Sequence, residues 1–123
     1  MPGPAPSTLL LVIAEPTRLR IVNCLAAAPL FVSDLQHVLD LPQPTVSRHL
    51  TVLRQAGIVR DTPVGQFVLY RLFRPGRHER LLSAILDGLA TEETMKMERH
   101  RALDRSRARG TERPASRMAS RES

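Results

Sequence analysis

Between Val32 and Gly57 the chain carries two stretches of helical spacing separated by only three residues, Asp40, Leu41 and Pro42. In the first, Val32, Leu35, Val38 and Leu39 recur along one helix face. In the second, Val46, Leu50 and Leu53 recur at i, i+4 and i+7 before Gly57 stops the pattern, so a helix is expected over residues 43–56. Two helices joined this tightly form a helix-turn-helix. That unit is the strongest constraint on what the chain can fold into.

The flanking sequence extends the pattern. Ile58 and Val59 lead into DTPVGQ, and a β-prone run follows from Phe67 to Leu72, so a two-stranded hairpin with Gly65 at its tip is expected. A hairpin placed directly after a helix-turn-helix is a wing. Upstream, two short helices fit between Leu9 and Ala27, divided at Glu15 and Pro16, because proline is tolerated at the first position of a helix and interrupts one elsewhere. Downstream, Pro75 and Gly76 break the strand, and Leu81, Leu82, Ile85, Leu86 and Leu89 mark one face of a longer helix expected to run on to about Leu103.

The ends lack such patterning. Residues 1–7 (MPGPAPS) alternate proline with small residues and are expected to be a flexible lead-in, with order beginning near Thr8. Residues 105–123 are rich in Arg and Ser, contain Gly110 and Pro114 and have no apolar period, so a disordered basic tail is expected there. One domain over residues 8–104 remains, mainly α with a small β-hairpin.

Charge narrows the partners. Lysines and arginines number 18 against 12 acids, giving a formal net charge of +6. A polyanion is the expected partner, and double-stranded DNA comes first. No segment has the amphipathic, basic-faced character that a membrane surface would require, and the run Leu9 to Ala14 is shorter than a membrane span. With a single cysteine, Cys24, no disulfide or thiolate cluster can form within one chain, which fits a cytoplasmic protein. No nucleophile, base and stabilising group fall into a recognisable catalytic pattern, so an enzyme is not expected.

If Val46, Leu50 and Leu53 face the core, a rotation of about 100° per residue turns Arg48 and Gln55 outward, with Thr45, Ser47 and Thr51 on the flanks. Such a face suits the major groove: Arg can donate twice to guanine O6 and N7, Gln can pair with adenine, and Thr can touch a thymine methyl. Base contacts usually come from the N-terminal half of such a helix, here Gln43, Thr45, Ser47 and Arg48. Arg54, with Arg60 and Arg71 on the hairpin, completes the candidate DNA-binding set. The wing tip, residues 63–66, carries no basic residue.

These residues also carry a likeness. The stretches AEPTRLRIV at 14–22, VSDL at 32–35, LPQPTVSRHLTVLRQAGIV at 41–59 and VG followed by VLYRL at 64–72 resemble the ArsR family of winged helix-turn-helix repressors, over roughly half the chain and in the same order. The resemblance implies a homodimer joined through the first and last helices, where Leu9, Leu10, Leu82, Ile85, Leu86 and Leu89 are the apolar candidates. It also carries Ser47, Arg48 and His49 to the DNA surface, although the helical projection places His49 nearer the core edge. Pro42 stands where the family often has a Ser N-cap, which removes a side-chain cap and adds rigidity.

Many relatives in that family release DNA on binding a metal. The paired cysteines of one such site are missing from FVSDL at 31–35, and Gly88 stands where another site would need a histidine. His78, Glu79, Asp87, Glu98 and His100 have side chains that suit zinc or nickel, yet solvated helix residues are the better expectation, and no metal or other cofactor is assigned. Cys24 on an apolar helix is expected to be an inert small hydrophobe. Two other functions fit the same elements: a winged helix that docks protein, and an architectural DNA binder without sequence preference.

Overall fold

The structure, a computed structural model, describes residues 3–74 and 78–116, with side chains as far as Arg109. Among these residues six helices and three strands follow one another as α1 (Pro6–Ile13), α2 (Pro16–Leu25), β1 (Leu30–Phe31), α3 (Val32–Leu39), α4 (Gln43–Gln55), β2 (Val59–Val64), β3 (Phe67–Leu72), α5 (Glu79–Leu89) and α6 (Glu93–Ser116). Both α1 and α2 begin on a proline, where a missing N–H costs nothing. Glu15 caps α2 by accepting the Arg18 backbone N–H at 2.8 Å.

The helix-turn-helix is set by two backbone devices. Asp40 adopts a left-handed conformation (φ 55°) that ends α3 and turns the chain within three residues. Gly57, with φ +80°, ends α4: its N–H reaches the Arg54 carbonyl and the next N–H, from Ile58, reaches Leu53, each at 3.0 Å. That is the paired bonding of a Schellman motif, and the two apolar residues it joins, Leu53 and Ile58, are both fully buried.

β2 and β3 form the expected hairpin, in register from Val59 opposite Leu72 to Val64 opposite Phe67. Gly65 supplies the positive φ at the first position of its two-residue turn. A third strand that sequence reading misses, β1, pairs antiparallel with β3 through Leu30 opposite Tyr70 and Phe31 opposite Leu69. Two residues are too few for an alternating pattern to register. The sheet order is β1-β3-β2, so the wing is rooted in the body of the molecule.

The core draws Leu9 and Ile13 from α1, Ile21, Val22 and Leu25 from α2, Leu35, Val38 and Leu39 from α3, and Val46, Leu50 and Leu53 from α4. Leu82 and Leu86 of α5 and Ala102 of α6 close it. Burying a Leu, Ile or Val side chain contributes roughly 1.5–3 kcal/mol, so this aliphatic cluster outweighs the few aromatics.

Four expectations need correction. Order begins before Thr8: α1 starts at Pro6, and Pro4 is buried. Residues 81–103 are two helices, because the chain turns at 90–92, where Ala90 N–H bonds Leu86 and both the N–H and the Oγ1 of Thr91 bond Gly88. The basic segment from Arg105 does not begin a disordered tail, since α6 continues to Ser116; residues 117–123, and the break expected at Pro75 and Gly76, lie outside the described residues. Finally, Leu9, Leu82 and Leu86, expected at a subunit surface, are buried within the single chain. The periodic stripe that marks an interface also marks a core, and here these three serve the core. Leu10 and Leu11 stay exposed, at 48% and 75%, while Ile85 and Leu89 are half-buried.

Candidate nucleic-acid interface

The inner face of α4 is locked by Val46, Leu50 and Leu53, all fully buried, which fixes the rotation of the helix about its axis. Gln43, Arg48 and Arg54 are then exposed, and Thr45, Ser47 and Thr51 half-exposed. The Gln43 side-chain amide donates to Ser47 Oγ at 2.7 Å, and Thr51 Oγ1 donates back to the Ser47 carbonyl at 3.0 Å. These bonds order the outer face while the Arg48 side chain projects outward. As expected from the sequence, α4 has no side-chain cap: its N-cap is Pro42, and Pro44 follows in the first turn. Its leading N–H groups therefore have no capping side chain in front of them.

His49 does not belong to this face. It is 9% exposed, and its Nδ1 lies 3.3 Å from Arg18 Nη1 and 3.9 Å from Glu15 Oε1. Burial holds the imidazole below its usual 6.5, with Glu15 opposing and Arg18 and Arg48 adding to the effect. A neutral ring accepting from Arg18 ties α4 to the start of α2, and His49 is corrected from a DNA contact to a structural residue.

On the wing, Arg60 and Arg71 are exposed cross-strand partners. Arg60 is held by stacking, its guanidinium 4.0 Å from the centre of the Phe73 ring. Towards the tip, Val64 and Phe67 are exposed at 41% and 61%, so the positive charge sits along the hairpin rather than at its end. Between α3, α4 and β3 lies a cleft of about 400 Å3 lined by Ser33, Gln36, Gln43, Ser47, Gln66 and Phe67 among others. Its lining sets Ser33, Gln36, Gln43, Ser47 and Gln66 against Phe31, Val32, Phe67, Val68 and Tyr70, so the cleft is mixed in character, with its polar side towards the start of α4.

The remaining candidates are separated by the fold. Glu98 is buried and paired with Arg20, Nη2 to Oε2 2.5 Å. His100 faces Asp104 on the same helix, Glu79 accepts from Ser83, and Asp87 is exposed. No three His, Cys, Asp or Glu side chains among the described residues are placed to hold a metal ion. His78 is fully buried against Gly3, and both its ring nitrogens lack a hydrogen-bond partner among the described residues. Cys24 is buried, its thiol near the Glu98 carbonyl at 3.9 Å and pushed up to about 12 by burial. A thiol so rarely ionised is a poor nucleophile.

Sequence reading misses how α6 is attached. Asn23 donates to the Met95 carbonyl at 2.8 Å and accepts from Arg99, which also reaches the Leu86 carbonyl at 3.0 Å. Arg105 and Arg109 both bond the buried carboxylate of Asp34. The i, i+4 spacing of the two arginines was a readable sign that they share a face, but nothing local names their partner.

Comparison with known proteins places residues 15–61 in the arsR family of bacterial regulatory proteins. The arsenic resistance transcriptional regulator ArsR1 of Pseudomonas putida is 48% identical over 61 residues, which cover 49% of this chain and 48% of that protein. The arsenical resistance operon repressor of Escherichia coli is 44% identical over 68 residues, covering 54% of this chain and 58% of that protein. The chain thus spans about half the length of the curated relatives it matches. Among solved structures, reduced HlyU from Vibrio cholerae superposes with a TM-score of 0.59 at 32% identity, over 68% of this chain and 83% of that one.

Proposed function

The chain belongs to the ArsR family of bacterial regulatory proteins, and from that premise we propose that it is a cytoplasmic transcriptional repressor, without enzymatic activity, that binds a specific DNA site as a homodimer through the outer face of α4. The observation that carries this reading is the orientation of α4: a fully buried inner seam presents Gln43, Thr45, Ser47 and Arg48 together on the outside. Arg48 donates to a guanine edge, and Gln43 and Thr45 read or position at the N-terminal end of the helix. Arg54, Arg60 and Arg71 supply phosphate contacts, which position the protein without carrying sequence information.

Two copies would join through the apolar surface left on the first and fifth helices, Leu10, Ile85 and Leu89, with Leu11 beside them. Such a pair places its recognition helices about 34–36 Å apart, so the preferred site is an inverted repeat. What releases the repressor is not assigned.

The test is fluorescence anisotropy on DNA from upstream of the protein's own gene against shuffled DNA across a salt series. Preference for the upstream fragment, with affinity falling steeply as salt rises, supports the repressor reading. Equal binding to both moves the protein to an architectural role, and binding to neither moves it to protein docking. Light scattering on an Ile85→Glu variant checks the dimer: a variant that remains dimeric rejects that interface.

A further inference from the structure

Asp34 lies on the first helix of the helix-turn-helix, yet its partners come from the far end of the chain. The side chain is only 4% exposed. Oδ2 accepts the Phe31 backbone N–H at 2.9 Å, closing the first turn of α3. Oδ1 accepts Arg105 Nε at 3.2 Å, and Oδ2 also accepts Arg109 Nη1. The Arg109 guanidinium lies 4.8 Å from the centre of the Phe31 ring, and that ring meets Phe67 of the wing edge-on at 6.2 Å. Phe31 is at the same time a strand residue, paired with Leu69 of β3.

One run of direct contacts therefore leads from α6, through Asp34 and Phe31, to the wing. We propose that α6 braces the DNA-reading end of the molecule, with Arg105 and Arg109 acting as positioning residues that fix the wing against α3 and α4. This rests on the DNA-binding reading above and deepens it. A buried carboxylate is stabilised by two guanidinium partners while both stay docked; when they leave, Asp34 faces the open cleft that Phe31, Ser33, Arg105 and Arg109 line, and hydration there competes with its bond to the Phe31 N–H at the start of α3. Phe31 then loses its stacking partner and its backbone anchor together. The cleft between α3, α4 and β3, which Phe31 also lines, changes width. With the bonds of Arg105 and Arg109 directed to Asp34, these two act on DNA through the wing and not by touching phosphate.

The test uses the full chain carrying Arg105→Ala with Arg109→Ala, and separately Asp34→Asn, which keeps an acceptor for the Phe31 N–H. Hydrogen exchange of the amides in β1 and β3 is measured without DNA, and affinity for the upstream fragment across a salt series. The brace predicts faster exchange in β3 in both variants, and at Phe31 in the arginine double variant. It also predicts affinity roughly tenfold weaker, a loss of about 1.4 kcal/mol, with the slope of log affinity against log salt unchanged. A salt slope reduced by about two in the double variant means the arginines bind phosphate and overturns the proposal. Unchanged exchange in the wing overturns it as well. If the wild-type chain binds no DNA, the repressor reading fails on its own, and the exchange experiment still decides whether the brace exists.

Discussion

α4 and α6 are both helices packed against the same body, and they are held in opposite ways. α4 is attached by an apolar seam, Val46, Leu50 and Leu53, and keeps its polar residues for the outside. Among the described side chains of α6, Ala102 is the buried apolar residue, and the helix is fastened by Arg99 to Asn23, Glu98 to Arg20, and Arg105 and Arg109 to Asp34. The apolar seam is non-directional and fixes a face; the polar anchors are directional and fix individual partners. A helix of the first kind announces itself in the sequence, and one of the second kind reads as a solvated charge run.

The largest effect should come from breaking the apolar side of that contrast. Leu53→Ala removes a fully buried side chain at the junction of α4 and the wing and should cost about 2–5 kcal/mol of unfolding free energy in urea titration. A cost near zero would mean that α4 is not held by its seam. Next, Glu98→Ala leaves the Arg20 guanidinium without its main partner and should cost about 1–3 kcal/mol, since an unpaired, partly buried charge loses more than a bond. Were α6 held by apolar packing instead, the melting temperature would hardly move.

Arg48→Ala sharpens the comparison by touching only the outer face of α4. It should weaken binding to a specific site by about 1–3 kcal/mol and relax base preference at one position, with the melting temperature unchanged. Unaltered affinity would remove Arg48 from the reading set. The smallest effect is expected at the inner edge of the same helix. Because the folded pKa of His49 lies below 6.5, the unfolded chain takes up a proton first as pH falls. The stability contributed by the neutral ring is therefore full above about pH 6.5 and is lost as pH drops towards the folded pKa. A His49→Gln variant should show a shallower loss below pH 6.5 in melts run across that range, and identical slopes would deny His49 a neutral, structural role.

How far the sequence could be read follows the same division. The boundaries of α2, α3 and α4 and the tip of the hairpin were legible because Pro16, Gly57 and Gly65 act locally and the apolar spacing is regular. The outward set Gln43, Thr45, Ser47 and Arg48 followed from one rotation angle, and the same angle already placed His49 near the core. β1 was not legible because a two-residue strand exists only by virtue of its partner on β3. The turn at 90–92 was hidden because Glu92 and Lys96 fit a continuous helix as well as the start of a new one.

By itself, the sequence determined the helix-turn-helix, the wing and the face that points outward, because caps, turns and hydrophobic period are properties of neighbouring residues. Only the tertiary structure decided that Leu9, Leu82 and Leu86 serve the chain's own core, that His49 turns inward to Arg18, and that the basic C-terminal segment docks on Asp34. The physical reason is that each depends on a partner far along the chain. An Arg and an Asp separated by about 70 residues carry no mark of each other until the fold removes both from water.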